Sequence, residues 1–367
     1  MAFRMGNFGK NIRTEDTHYN QAAPTYAIPT YRMEIKMPAS TTKLNQKLAC
    51  IRGGAYRPQD FIVADAKDGD MGGGAGATGI HQKTGLAHPA SVYRSAMKDM
   101  VASDLVDIML VSLSSAEALM TDGVFDNSNV TLAVRMNEGT DIWGYRGANY
   151  RSHAARPFRT ARPDRARALC DLGLYAVTFY NDVDRDVATL NAYAEFRDQA
   201  SAMGLRHFLE VFNPAFPIDT GDEEIGIYVN DAIVRCLAGV ASAERPLFLK
   251  MQYNGARAMA ELAAYDPENL IVGILGGSAG TTRDTFELIS QAEQFGARVA
   301  LFGRKIYYAE DSVEIVRTMR KVVEGKLSPT EAVRDYHDHL YKSGLAPIRS
   351  LEDDLQVTDP ILKPEVQ

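Results

Sequence analysis

From residue 61 onward, short apolar or β-branched runs alternate with longer amphipathic stretches, the pattern of repeated βα units that build a parallel sheet. Eight such runs occur, at 61–64, 107–111, 130–134, 175–179, 206–211, 247–250, 270–275 and 297–302. Amphipathic segments such as 186–203, 224–242, 256–265, 282–294 and 312–324 lie between them. Eight consecutive units favour closure of the sheet on itself, and such barrels use ~250 residues or more as one domain. The expected fold is therefore α/β: a single (β/α)₈ TIM barrel with an N-terminal arm and a C-terminal helical or extended tail. The expected divisions are 1–58 for the arm and a barrel-closing helix, 59–325 for the barrel, and 326–367 for a further helix and tail.

Segment 1–38 is polar, aromatic and punctuated by proline, without a sustained period, and reads as an arm. A helix is expected at 41–51, stopped by Gly53 and Gly54. The acidic stretch near the C-terminus reads as a mobile end, since chain termini are loose unless docked.

A net charge of −7 argues against a general nucleic-acid or membrane-surface binder, which gathers positive charge to neutralise phosphates. The apolar runs fall well short of the ~20 residues a spanning helix needs. No signal-like apolar region occurs near Met1, so a cytoplasmic protein is expected. Cys50, Cys170 and Cys236 are widely separated thiols, read as reduced and buried rather than as a disulfide or zinc framework. The histidines lack metal-ligand spacing, and His337 and His339 do not share a helix face, so neither a metal nor another cofactor is expected.

In barrels of this kind reactive residues sit at the C-terminal ends of strands. Lys250 ends the sixth run after Leu247, Phe248 and Leu249. A lysine must be neutral to attack a carbonyl, and burial disfavours a charged amine, so this placement suits a Schiff-base nucleophile. The alternative is a structural lysine paired with a strand-end carboxylate. Gly276, Gly277 and Ser278 follow the seventh run, and Gly303 and Arg304 follow the eighth. Glycines there let backbone N–H groups approach a phosphate, which barrels frequently hold with these two loops. Arg304 would add a charge-assisted contact. Arg135, ending the third run, is a further anion-binding candidate.

Two loops stand out. Residues 66–84 after the first run carry Lys67, Asp68, Asp70, Gly72, Gly73 and Gly74, His81 and Lys83, and read as a lid or a flexible surface loop. After the third run come Arg146, Arg151, Arg156, Arg159, Arg162, Arg165 and Arg167, with His153, a basic segment suited either to a second anionic group or to solvent.

The runs Phe248-Leu249-Lys250, Gly273-Ile274-Leu275-Gly276-Gly277-Ser278 and Ala300-Leu301-Phe302-Gly303-Arg304-Lys305-Ile306 resemble the last three units of the class I, Schiff-base aldolase superfamily of barrels. The likeness extends back to Phe61-Ile62-Val63-Ala64-Asp65 and so spans about 61–323. It implies Lys250 as the Schiff-base lysine and Asp65 as a residue orienting the amine and substrate hydroxyls. Archaeal-type fructose-bisphosphate aldolases place a tyrosine after strand five, where Phe212 stands here. The run Phe208-Leu209-Glu210-Val211 is instead similar to the tagatose-bisphosphate and sulfofructose-phosphate aldolases, which implies Glu210 as general acid/base. That branch also has a strand-four lysine, absent between Leu169 and Val183.

The resemblance implies reversible retro-aldol cleavage of a ketose phosphate or bisphosphate, giving an aldehyde and a phosphorylated ketone such as dihydroxyacetone phosphate. Two alternatives stay open: a Schiff-base thiolase or transaldol-type transferase, and an inactive barrel that binds sugar phosphate. The expected partners are a small phosphorylated sugar and further copies of the chain, with neither nucleic acid nor membrane among them.

Overall fold

The apolar runs fold as β1 (Ile62–Lys67), β2 (Ile108–Val111), β3 (Thr131–Arg135), β4 (Leu172–Thr178), β5 (Arg206–Phe212), β6 (Leu249–Met251), β7 (Gly273–Leu275) and β8 (Val299–Phe302). They pair in sequence order and β8 closes onto β1, forming a (β/α)₈ barrel. The structure, a computed structural model, describes residues 42–148 and 150–363. The arm expected at 1–38 lies outside the described residues.

All pairs are parallel; Ala64 stands opposite Ile108 on one side of β1, and Ile62 opposite Val299 on the other. Because successive side chains alternate across a strand, each strand feeds two cores. Ile62, Ala64, Ile108, Leu110, Ala133, Leu174, Ala176, Phe208, Phe248 and Leu301 belong to the core inside the barrel. Val63, Met109, Val134, Val177, Leu209, Met251 and Phe302 belong to the core between the strands and the surrounding helices. Strands buried on both faces read as continuous apolar runs. Such runs carry no alternation to mark where pairing starts, and β4 begins at Leu172 and β6 at Leu249 rather than at the run boundaries read from sequence.

The helix Lys43–Arg52 starts at Thr42, whose hydroxyl accepts from the Asn45 N–H at 3.3 Å. Leu44, Leu48 and Ile51, at helical spacing, join the core inside the barrel, each burial contributing about 1.5–3 kcal/mol. Lys47 reaches the start of β1, donating to the Phe61 carbonyl at 2.8 Å and pairing with Asp107 at 2.9 Å. Asp107 is fully buried, pairs with Arg320 at 2.9 Å and accepts from the Val63 N–H at 2.8 Å. One carboxylate thus ties the closing helix, β1 and the helix Ser312–Val323 together at the N-terminal end of the barrel.

The chain after the barrel is anchored as far as Lys363. Ser328 and Glu331 cap the helix Pro329–Lys342 reciprocally. Beyond it, Thr358 and Asp359 donate backbone N–H groups to Asp284 at 2.8 and 3.2 Å, Gln291 Nε2 donates to the Leu362 carbonyl at 2.9 Å, and Leu362 is buried. Asp354 accepts from the Thr282 N–H at 2.7 Å and lies 3.0 Å from His337 Nε2. Within the acidic stretch that read as a mobile end, Asp354 is in fact a hydrogen-bond acceptor for the start of the helix Thr282–Gln294. Among the described residues no helix is long and apolar enough to cross a membrane.

Candidate active site

Stepping by two along each strand from the inner core gives the side chains that crown the barrel interior: from Ala66 to Asp68, from Ala133 to Arg135, from Phe208 to Glu210, and from Phe248 to Lys250. These four make one connected network. Glu210 and Lys250 are register partners on β5 and β6, and Lys250 Nζ lies 2.6 Å from Glu210 Oε1. The other Glu210 oxygen is 3.1 Å from Arg135 Nη1, which also donates to Asp68 Oδ2 at 2.8 Å. Arg135 Nε donates to the Asn137 carbonyl at 2.8 Å, and the Phe212 ring lies 5.9 Å from the guanidinium.

All four are buried, the Lys250 side chain being 7% exposed and that of Glu210 2%. Burial by itself would raise the Asp68 pKa, but Arg135 and then Lys250 outweigh it, and the carboxyl is held below its ordinary value. Burial likewise works against the Arg135 charge, yet Glu210 and Asp68 overcome it and raise its pKa. Asp68 and Arg135 therefore favour each other's charged forms beside the Lys250–Glu210 pair. Arg135 Nη2 has no hydrogen-bond partner among the described residues, leaving a buried donor toward whatever fills the site.

Asp65 lies elsewhere. It shares strand parity with Val63, and its neighbours in register are Met109 and Phe302, both in the core outside the strands. Both its oxygens accept from Lys67 Nζ at 2.7 Å, and Lys67 lies 5.1 Å from the Tyr307 ring centroid. Burial raises the Asp65 pKa, and Lys67 counters it. Lys67, read from sequence as part of a lid, is the last residue of β1, and the loop after it holds a short helix, Asp70–Gly73. The strand-one carboxylate of the interior network is Asp68. Counting by twos from an inward residue would have found it, but Ile62, Val63 and Ala64 are all apolar and do not say which parity is inward.

The glycine-bearing loops adjoin at the ends of β7 and β8. Gly277 has φ +64° and open space at its Cβ position, so the left-handed backbone there suits glycine. At Gly303 a Cβ would fall 2.7 Å from the Ala66 carbonyl oxygen, which keeps β8 close to β1. Gly276 is buried against Phe302, whereas Ser278 and Arg304 are exposed. Lys305, not singled out from sequence, is the buried cation of this region. Its Nζ donates to the Ala279 carbonyl at 3.1 Å. Burial lowers the Lys305 pKa to about 8 against the opposing pull of Asp284 and Asp359.

The arginine-rich segment does not converge on this network. Arg159 reaches Gln199 and Glu195 at 2.8 and 3.2 Å, and Arg162 pairs with Asp164 at 2.8 Å. Upstream of it in the same loop, Asp141 accepts from the hydroxyls of Thr178 and Tyr180 at 2.7 and 3.1 Å, and burial raises its pKa.

No protein-family model and no curated protein matches the sequence. Solved structures match in fold. The crystal structure of an archaeal fructose 1,6-bisphosphate aldolase aligns with TM-score 0.56 at 15% identity, over 77% of this chain and 99% of that one. A structure of an archaeal fructose-1,6-bisphosphate aldolase with its catalytic lysine bound to the carbinolamine intermediate aligns likewise, at TM-score 0.56 and 15% identity over 77% and 99%. The fructose-bisphosphate aldolase from Slackia heliotrinireducens aligns with TM-score 0.57 at 14% identity, over 83% of this chain and 95% of that one.

Proposed function

We propose that the chain is a class I aldolase that cleaves a ketose phosphate reversibly through a Schiff base on Lys250. The observation that carries the reading is the buried 2.6 Å contact between Lys250 Nζ and Glu210 Oε1 at the C-terminal end of the barrel. The barrel shared with Schiff-base aldolases supports it by analogy of fold.

The chemistry follows from that contact. An ammonium cannot attack a carbonyl. Its proton passes to Glu210 as the ketone enters, leaving a free amine and a carboxylic acid. The amine lone pair adds to the ketone carbon, the nitrogen passes one proton to the resulting oxygen, and that hydroxyl leaves as water after taking the second proton from Glu210, which returns to the carboxylate. The iminium then accepts the electron pair of the breaking C–C bond while the neighbouring hydroxyl loses its proton to Glu210, and an aldehyde departs. Reprotonation and hydrolysis release a phosphorylated ketone and restore Lys250.

Asp68, rather than Asp65, takes the role of strand-one carboxylate in this scheme, since it pairs with Arg135 and lies within the field of the Lys250 charge. The free Nη2 of Arg135 receives a substrate oxygen. Backbone N–H groups around Gly277 and Gly303, with Ser278, Arg304 and Lys305, hold the phosphate. In this reading Gly276 serves close packing of that loop on Phe302.

The test is intact mass after borohydride treatment with dihydroxyacetone phosphate. A reduced adduct on the wild-type chain and none on Lys250→Met is expected. An adduct on both would assign the imine to another lysine, and none on either would remove dihydroxyacetone phosphate as the donor.

A further inference from the structure

A cleft of about 520 Å³ opens between the loops after β3, β4 and β5, apart from the Lys250 network and sharing no residue with it. Its volume falls within the range of ~300–1,000 Å³ typical of small-molecule pockets. We propose that it is a second binding site, for a nucleotide: a ligand with a planar base, a hydroxylated sugar and an anionic phosphate.

The lining separates those three demands. Tyr180 and Phe216, stacked with centroids 5.6 Å apart, and Tyr150 and His153, 6.3 Å apart, supply aromatic surface for a base. Asp182 and Arg185 also line the cleft and pair with each other at 3.2 Å. The Asp182 carboxylate keeps acceptor capacity for sugar hydroxyls. Arg156 is exposed, and its guanidinium has no hydrogen-bond or ion-pair partner among the described residues. With Asp182 balanced by Arg185, Arg156 leaves the lining net positive, which calls for an anion with the oxygen geometry a guanidinium fork recognises.

The walls are held before any ligand arrives. The Ala155 N–H donates to the Tyr180 hydroxyl at 2.8 Å, and the Arg156 N–H donates to Thr140 Oγ1 at 3.2 Å. Tyr180 in turn donates to Asp141, which Thr178 also holds. The segment that presents Arg156 is thus pinned to β4, so little ordering cost falls on binding.

The chain contains one tryptophan, Trp143, and it stacks on the cleft residue Tyr150 with centroids 4.5 Å apart. Its emission therefore reports on the cleft. The experiment titrates the full chain with ADP, following Trp143 emission and the heat of binding, with adenosine and inorganic pyrophosphate as the two halves of the ligand. Saturable 1:1 binding of ADP is expected, with each half at least tenfold weaker. Arg156→Ala and Phe216→Ala, both checked for folding by circular dichroism, are expected to weaken ADP at least tenfold. Arg156→Lys should recover part of that loss, and Lys250→Met should leave affinity unchanged.

The proposal is overturned by an absence of saturable ADP binding, by pyrophosphate binding as tightly as ADP, or by full affinity in Arg156→Ala. Loss of binding in Lys250→Met would overturn it as well, by placing ADP in the barrel interior. None of these readouts depends on aldol turnover, so the outcome is separate from the fate of the Schiff-base reading.

Discussion

Lys250 Nζ and Glu210 Oε1 stand 2.6 Å apart because the register of β5 and β6 sets the two residues side by side on the inner face of the barrel. The second Glu210 oxygen is engaged by Arg135 at 3.1 Å, so the carboxylate is held by Arg135 on one side and faces the Lys250 amine on the other. A group held in this way can exchange a proton with the amine without moving.

Glu210→Gln keeps the size and part of the hydrogen bonding but cannot carry a proton. If Glu210 is the acid/base of the proposed aldol cleavage, turnover is expected to fall about 10²–10⁴-fold, the usual contribution of a positioned acid/base. Borohydride trapping should still label Lys250, more slowly. Steady-state rates and the time course of trapping measure the two effects separately, and unchanged turnover would remove Glu210 from the chemistry.

Lys305 has a folded-state pKa of about 8, below its ordinary 10.5, because burial disfavours the ammonium. Between these values the unfolded chain binds more protons than the folded one, so folding stability due to this group rises with pH. Below about 8 the penalty is fully present. Wild type is therefore expected to gain on the order of 1–3 kcal/mol relative to Lys305→Met as pH rises from 7 to 10. Urea unfolding of both proteins across that range gives the difference, and a flat difference would contradict the buried ammonium.

Asp107→Asn leaves Lys47 and Arg320 facing a neutral group at the N-terminal end of the barrel. Removing one partner of a buried charge cluster costs about 3–5 kcal/mol, which chemical denaturation near pH 7 would register. Burial alone would raise the Asp107 pKa, but Arg320 and Lys47 prevail and lower it. The advantage of wild type over the variant should be complete above the ordinary carboxylate pKa of about 3.9. It should fade as pH falls through the lowered folded-state value.

Legibility from sequence followed how local each signal is. The eight strands could be placed because a strand buried on both faces is an apolar run wherever it stands in the chain. Lys250 could be singled out because it ends such a run with a charge, whereas Glu210 was singled out by the resemblance of its run to the tagatose-bisphosphate and sulfofructose-phosphate aldolases. The same rule failed to rank Asp65 against Asp68. Both carboxylates follow the end of one apolar run within four residues, and facing is decided by strand parity, which Ile62, Val63 and Ala64 leave ambiguous. The acidic C-terminal stretch misled for a related reason: the acceptor role of Asp354 depends on Thr282, which lies 72 residues away.

What the sequence by itself determined is the repeated βα architecture, the closing helix and the strand-end placement of Lys250, Glu210, Arg135 and the two glycine loops. Those follow from the periodicity of apolar residues and from glycine's backbone freedom, which are properties of neighbouring residues. Only the tertiary structure decided that Asp68 and Arg135 join Lys250 and Glu210 while Asp65 turns outward to Lys67. It also decided that Lys305 rather than Arg304 is buried, and that Arg156 and Phe216 share one cleft. These outcomes depend on inter-strand register and on which face of each strand meets the barrel interior, and closure of the sheet sets both at once through contacts far apart in the chain.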